Sequence, residues 1–179
     1  MLILGEGSSL QAELIDKSSF SLAAYSNMVP GKAVYDSDQT SRDTFLSLVF
    51  GKARFLATKL MGGQDEDFKV KTPTAFIGVS GSDFALSVAP VKDLTASAKT
   101  NWFAELLSVK KAHAAEAPGD ALATTVVTGD ETSVNFSGDV GPAQVVGPNS
   151  ASRAIAGMAA LVPVVVAAII AIEALGAVG

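Results

Sequence analysis

Cysteine is absent from the 179-residue sequence, and histidine occurs once, at His113. The absence of thiols excludes disulfides, cysteine-based zinc sites, iron–sulfur clusters and thiol catalysis. A Ser-His-Asp site would have to use His113, and no Gly-x-Ser-x-Gly motif surrounds any serine. The acidic run at 65–67 lacks the alternating ligand spacing of a calcium loop. We therefore predict a protein that is not an enzyme, with no cofactor and no metal site.

Basic residues are also few. Lys and Arg together number 13 against 18 Asp and Glu, which gives a net charge of −5 at pH 7. Proteins that bind nucleic acid electrostatically need a basic face, so we expect no nucleic-acid partner. Only 17% of the residues are charged while 49% are hydrophobic, and one apolar segment near the C-terminus accounts for much of this imbalance.

Short stretches with the two-residue period of β-strands fill residues 1–90. Polar and apolar residues alternate over 20–24, and two further runs, 45–50 and 53–57, are separated by a glycine and a lysine. Turn residues recur between short apolar runs over 121–150. We expect a mainly β protein whose compact, short-stranded domain is solenoid-like or sandwich-like, with 121–150 supplying the closing strands.

From residue 91 to residue 120 the sequence pattern becomes that of a helix. Apolar residues recur three or four positions apart, at Leu94, Ala98, Trp102, Leu106 and Val109. We expect one amphipathic helix inserted between the strands. Its apolar face has two possible uses: Trp102 packs on the β-core, or Phe103 and Leu107 form a strip for a protein partner. The candidate partner-binding residues are Trp102, Phe103, Leu106 and Leu107.

The segment 151–179 contains 19 consecutive uncharged residues, from Ala154 to Ile172. A helix that spans a bilayer needs ~20 apolar residues, so this length predicts a C-terminal transmembrane helix and lipid contact over 154–178. The alternative is a helix packed within an oligomer, which small residues such as Gly157 would favour. The candidate membrane residues are Ala154, Leu161, Pro163, Val165, Ile169 and Ile172.

The stretch 69–84, KVKTPTAFIGVSGSDF, resembles the pattern of the FecR-domain family. In that family a strand ends in Thr-Pro-x-Ala and a second strand leads into Val-Arg-Gly-Thr-x-Phe. Ser80 stands here where the family has arginine, and Lys17 stands where its Asp-Gly-Ser hairpin has glycine. We expect Gly78 and Gly81 to occupy positions that a Cβ would block. The candidate fold-signature residues are Thr72, Pro73, Gly78, Gly81 and Phe84.

The resemblance implies an all-β domain on the periplasmic or outer side of a bacterial membrane. In the family's signalling branch, such domains contact the signalling domain of an outer-membrane transporter. Because the hydrophobic segment here comes last, the chain is more similar to stand-alone exported members. We expect a non-catalytic protein-interaction or assembly module, anchored in the bacterial inner membrane with its β-domain in the periplasm. The alternatives are an accessory subunit of a larger membrane complex and a regulator of iron-uptake signalling.

Overall fold

The computed structural model describes residues 1–37, 41–60, 66–79, 81–90, 121–139, 142–156 and 162–165. Within these ranges the protein has thirteen β-strands and no helix, so the expectation of a mainly β fold is confirmed. The strands are β1 (Leu2–Ile3), β2 (Leu10–Glu13), β3 (Ser19–Leu22), β4 (Asn27–Asp36), β5 (Ser41–Ala57), β6 (Glu66–Lys71), β7 (Ala75–Val79), β8 (Ser82–Pro90), β9 (Leu122–Thr128), β10 (Val134–Gly138), β11 (Gln144–Val146), β12 (Ser150–Ile155) and β13 (Val162–Val165).

The strands form two sheets that share β5. The first sheet has the order β11-β10-β7-β6-β5-β4-β1, and the second has the order β2-β3-β5-β8-β9-β12-β13. The pair β5–β6 is parallel, and the remaining pairs in the described ranges are antiparallel. Strand β5 is 17 residues long, and its first half belongs to one sheet and its second half to the other.

A bulge carries β5 from the first sheet into the second. Buried side chains occupy even-numbered positions as far as Leu48 and odd-numbered positions from Gly51 onward. The register with β4 skips Val49, and this extra residue shifts the alternation so that both halves face one core. At Gly51 φ is +93°, and a Cβ there would lie 2.5 Å from Cα of Ser26. The two strands expected over 45–57 are therefore one continuous strand, which only glycine allows to bend at this point.

The two sheets face each other across an aromatic core. The ring of Phe55 in the second sheet stacks on Phe84, with centroids 5.1 Å apart. It also makes an edge-to-face contact with Phe68 from the first sheet, with centroids 6.2 Å apart and ring planes at 70°. The hydroxyl of Thr72, at the end of β6, lies 2.7 Å from that of Thr124 in β9. The sequence left a solenoid-like and a sandwich-like architecture open. The structure instead has a nearly closed, barrel-like sheet whose two parts are continuous through β5.

The C-terminal segment differs from the prediction. Ala154 is buried in β12 and pairs with Thr124, while Pro163 and Val165 lie in β13. The prediction that these three residues belong to a membrane helix is therefore wrong. Valine-rich sequence favours a strand, and the open edge of β12 provides a partner for it. The described ranges contain no helix of the length and apolar character needed to cross a bilayer.

The structure does not test the remaining predictions for the C-terminal segment and for the helical insertion. Leu161, Ile169 and Ile172, together with the expected helix over 91–120, lie outside the described residues. The domain boundaries at 90, 120 and 150 remain predictions.

Candidate protein-interaction surface

The Thr-Pro turn between β6 and β7 has a structural role. The hydroxyl of Thr72 accepts a hydrogen bond from the backbone N–H of Ala75 at 2.9 Å, which closes the turn. The hydroxyl of Thr74 lies 2.7 Å from that of Thr124, the residue that Thr72 also contacts. Pro73 is exposed between the two threonines. These buried hydroxyls bond one another and the backbone, so the turn connects the two sheets and offers no open polar site.

The two expected signature glycines differ from each other. Gly81 has φ +81°, and a Cβ there would lie 2.7 Å from Cα of Lys59. Gly78 has no positive φ, and a Cβ there would meet nothing within 4 Å. The expected steric requirement therefore exists at Gly81 and is absent at Gly78. Phe84 is fully buried in the aromatic core.

A buried ion pair, not predicted from the sequence, connects the β2–β3 hairpin to β5. Nη1 of Arg42 donates to Oδ2 of Asp16 at 2.9 Å, to Oγ of Ser18 at 3.0 Å and to the carbonyl of Thr58 at 2.8 Å. The guanidinium carbon lies 5.4 Å from the ring centroid of Phe68. Arg42 occupies the inward phase of β5, in step with the buried leucines, and this phase was the available signal.

The carboxyl group of Asp16 stays ionised in this setting. Burial by itself would raise its pKa, but hydrogen bonds from Ser18 and Arg42 outweigh that effect and lower the pKa below 3.8. Both members of the ion pair are closed off from solvent. The pair is therefore a structural clamp and cannot bind a solute from solution.

The outer face of the first sheet carries two aromatic rings among lysines. The rings of Phe45 on β5 and Phe76 on β7 meet above β6, with centroids 6.2 Å apart. Lys69 and Lys71 are the β6 residues in register with Phe45 and Phe76, respectively. Phe76 is 38% exposed. We call Phe45, Phe76, Lys69 and Lys71 the aromatic–lysine face.

Within the described ranges, the aromatic–lysine face borders open space at Gly78. Gly78 lies beside Lys69 on β7, and the space above it is empty to at least 4 Å. Asp43, on the same side of β5, is already paired with Lys32 of β4. Contiguous exposed apolar groups bordered by polar residues are a feature of protein interaction sites. On β7 the exposed Phe76 lies between the buried Ala75 and Ile77, so its side chain is on the outer face of the sheet.

The candidates named from the sequence do not contribute to this face. Trp102, Phe103, Leu106 and Leu107 lie outside the described residues. Within the part of the chain that the structure describes, no three His, Asp or Glu side chains come together in a way that could hold a metal ion. The chemistry that this face offers is therefore apolar contact combined with ammonium groups.

Comparison with known proteins supplies the family. The family model "FecR protein" matches residues 2–100 of the chain. The chain belongs to the FecR family. The resemblance to that family is thereby confirmed, and the matched range takes in Phe45, Phe76 and both face lysines of this FecR-family chain.

Solved structures extend the likeness in fold beyond the matched residues. Two crystal structures of a proposed anti-sigma factor from Parabacteroides distasonis ATCC 8503, at 1.65 and 2.50 Å resolution, each superpose with a TM-score of 0.58. Each is 14% identical in sequence, and the alignment covers 93% of this FecR-family chain but 60% of the other protein. At that identity the likeness shows a common fold. No curated protein matches the sequence.

Proposed function

We propose that this FecR-family chain is a non-catalytic protein-interaction domain of a regulatory system, and that it binds its partner through the aromatic–lysine face. The observation that carries the proposal is the contact between Phe45 and Phe76 above Lys69 and Lys71 on an outer sheet surface. Membership of the FecR family supports a regulatory setting. The fold shared with a proposed anti-sigma factor supports the same setting.

The composition of the face defines the chemistry of the partner. Two adjacent rings favour apolar side chains, and burial of one aromatic anchor is typically worth ~2 kcal/mol or more at an interface. Lys71 is exposed and favours a carboxylate on the partner, because an ammonium group that is buried without a partner is costly. The partner is thus a polypeptide segment that combines aliphatic or aromatic residues with Asp or Glu.

Signalling of the iron-uptake type is the setting that the proposal favours. The family match and the likeness to an anti-sigma factor both concern regulators, and a regulator of this kind works by binding another protein. We also propose that the β-domain lies on the periplasmic side of a bacterial inner membrane, as the family resemblance suggests. Protease treatment of spheroplasts tests this placement, since a periplasmic domain is digested while the membrane is intact.

The partner-binding proposal is tested by affinity capture with the tagged full-length chain from native membranes, after cross-linking and mild detergent extraction. Phe76→Asp and Lys71→Glu should each lower the recovery of a stoichiometric partner at least tenfold. Gly78→Trp should do the same by steric block, because a Cβ at Gly78 meets nothing within 4 Å and leaves room for a side chain to begin there. Leu56→Asp is the matched control, since Leu56 is as exposed as Phe76, at 37%, and lies in the second sheet.

Full recovery of the partner by a Phe76→Asp/Lys71→Glu double variant would overturn this assignment. Trp102→Ala and Phe103→Ala are tested in parallel, as the candidates from the sequence. Loss of the partner in these two variants alone would move the binding site to residues 91–120. Circular dichroism checks that each variant keeps its β signal.

A further inference from the structure

Among the residues that the structure describes, the outer edge of β4 has an open backbone over half its length. One side of β4 is hydrogen-bonded to β5, and on the other side only Asn27 and Met28 pair, with β1, among the described residues. Pro30 cannot donate a hydrogen bond, and a register shift follows it, so strand pairing is blocked at that point. The remaining edge is the five-residue segment 32–36, which we call the β4 edge. An open edge is a template for another strand.

The sequence of the β4 edge is complementary to itself. It reads Lys32, Ala33, Val34, Tyr35 and Asp36. When two such segments pair antiparallel about the central valine, each lysine lies opposite an aspartate and each alanine lies opposite a tyrosine. The two valines then lie opposite each other. Opposite charges and small–large pairs across neighbouring strands are the pairs that stabilise a sheet.

The side chains also lie on the appropriate faces. Lys32 and Val34 are in register with Phe45 and Asp43, so they share the outer face of the first sheet. Asp36 has the same parity and therefore lies on that face too. Every charged pair of the two-fold arrangement is consequently formed on the exposed side. Lys32 already pairs with Asp43 of its own chain, and its side chain is 59% exposed, so its ammonium group can contact a second carboxylate. Val34 itself is 51% exposed.

We propose that two copies of the chain associate through antiparallel pairing of their β4 edges about Val34, which joins their first sheets into one continuous sheet. The occupant of the edge is a second copy because the order of charges, basic at 32 and acidic at 36, matches its own reverse. The two-fold axis runs perpendicular to the sheet, so the aromatic–lysine faces of both copies lie side by side. The dimer does not depend on those faces, and it would present them as a bivalent surface.

The expected strength of the dimer is modest. Five paired residues bury far less than the ~800 Å² per partner of a standard interface. We therefore expect a dimer that forms and dissociates with concentration and that a covalent trap can capture. The absence of native cysteine makes such a trap simple, because one introduced thiol can react only with its own copy in a second chain.

Val34→Cys in the full-length chain, in mild detergent, places two thiols on the two-fold axis. Paired Cα atoms in an antiparallel sheet are ~4.5–5.5 Å apart, within the range that a disulfide needs. Under a mild oxidant, Val34→Cys should form a disulfide dimer at least tenfold faster than Val145→Cys. Val145 is a stringent control because it is more exposed than Val34, 69% against 51%. If random collisions alone set the rate, Val145→Cys would form the disulfide dimer faster than Val34→Cys. Equal rates, or faster trapping of Val145→Cys, would overturn the proposal.

Charge exchange in the Val34→Cys background tests the register. Lys32→Glu and Asp36→Lys should each slow trapping at least fivefold, because like charges then lie opposite each other. Mixing the two variants should restore trapping as a heterodimer. The introduced glutamate of one chain then lies opposite the introduced lysine of the other, and the native pair of Lys32 with Asp36 re-forms. Lys17→Glu is the control, because it breaks a similarly exposed ion pair, with Glu13, away from the edge.

Failure of the mixed variants to trap each other would overturn the register and with it the proposed dimer. Sedimentation that shows only monomer at all concentrations would also overturn the dimer. The same holds if the β4 edge is found to pair with a strand from a different protein. Neither result would affect the capture experiment on Phe76 and Lys71, so the two proposals can fail separately.

Discussion

Arg42 and Asp16 form an ion pair of 2.9 Å whose side chains are 0% and 2% exposed. The pair fastens the β2–β3 hairpin onto β5, 26 residues along the chain. Removal of one partner leaves the other charge buried without compensation. Arg42→Met should therefore lower the free energy of unfolding by about 3–5 kcal/mol, as measured by urea denaturation.

The Arg54–Asp83 pair is the matched control for this prediction. Its side chains are 20% and 28% exposed, and Arg54→Met should cost about 1 kcal/mol or less, in keeping with more exposed ion pairs. The double variant Arg42→Met/Asp16→Asn should be more stable than Arg42→Met alone, because no lone charge remains. Additive losses in this double-mutant cycle would contradict the clamp.

Lys17 adopts a left-handed backbone, with φ +67°, in the loop that closes the β2–β3 hairpin. This conformation costs a non-glycine residue about 1–2 kcal/mol, part of which the greater freedom of glycine in the unfolded chain offsets. Lys17→Gly should therefore raise the free energy of unfolding by about 0.5–1 kcal/mol. Lys17→Ala keeps the strained backbone and removes the exposed pair with Glu13, so it should not stabilise. A lower melting temperature for Lys17→Gly would count against the strain.

Gly81 and Gly78 provide a test within one motif. Gly81→Ala combines a positive φ with a Cβ placed against the backbone of Lys59, and it should destabilise by about 2 kcal/mol or more. Gly78→Ala meets open space and should stay within about 0.5 kcal/mol of the parent. Thermal denaturation of the two variants decides the matter. Equal losses would mean that the two glycines play the same part.

Lys52 should make stability depend on pH in the alkaline range. Burial lowers the pKa of its ammonium group from 10.5 to about 8 in the folded protein. The unfolded chain therefore binds more protons between these two values, and the free energy of unfolding should rise with pH there. From pH 7.5 to 9.5 we expect a gain of about 1–2 kcal/mol from this group.

Lys52→Met should abolish most of that rise, whereas Lys17→Met should leave it in place because Lys17 is exposed. Denaturant titrations at three pH values across this range provide the measurement. A parent protein that loses stability as the pH rises would refute the assignment.

Local patterns predicted part of this fold well. The alternation over 20–24 corresponds to β3, and the Thr-Pro motif does lie in a turn between two strands. The alternation does not reveal how strands associate. A charged residue such as Arg42 gives no sign that an aspartate 26 positions earlier will neutralise it inside the core.

The C-terminal error has a physical origin. A long uncharged segment prefers an apolar environment. A buried strand provides such an environment as well as a membrane helix does, so length alone does not distinguish the two. Ala154 is buried because β9 lies next to it. The outward position of Phe76 follows from the bend and register of neighbouring strands, which depend on contacts across the whole domain.

The shared strand β5 has a consequence for how the protein folds. It pairs with β3, β4, β6 and β8, so neither sheet can be completed while β5 is out of place. The two layers should consequently melt in a single cooperative transition, with coincident changes in every spectroscopic signal. Because most of these pairings join distant parts of the chain, assembly should be slow, in the millisecond-to-second range typical of such topologies.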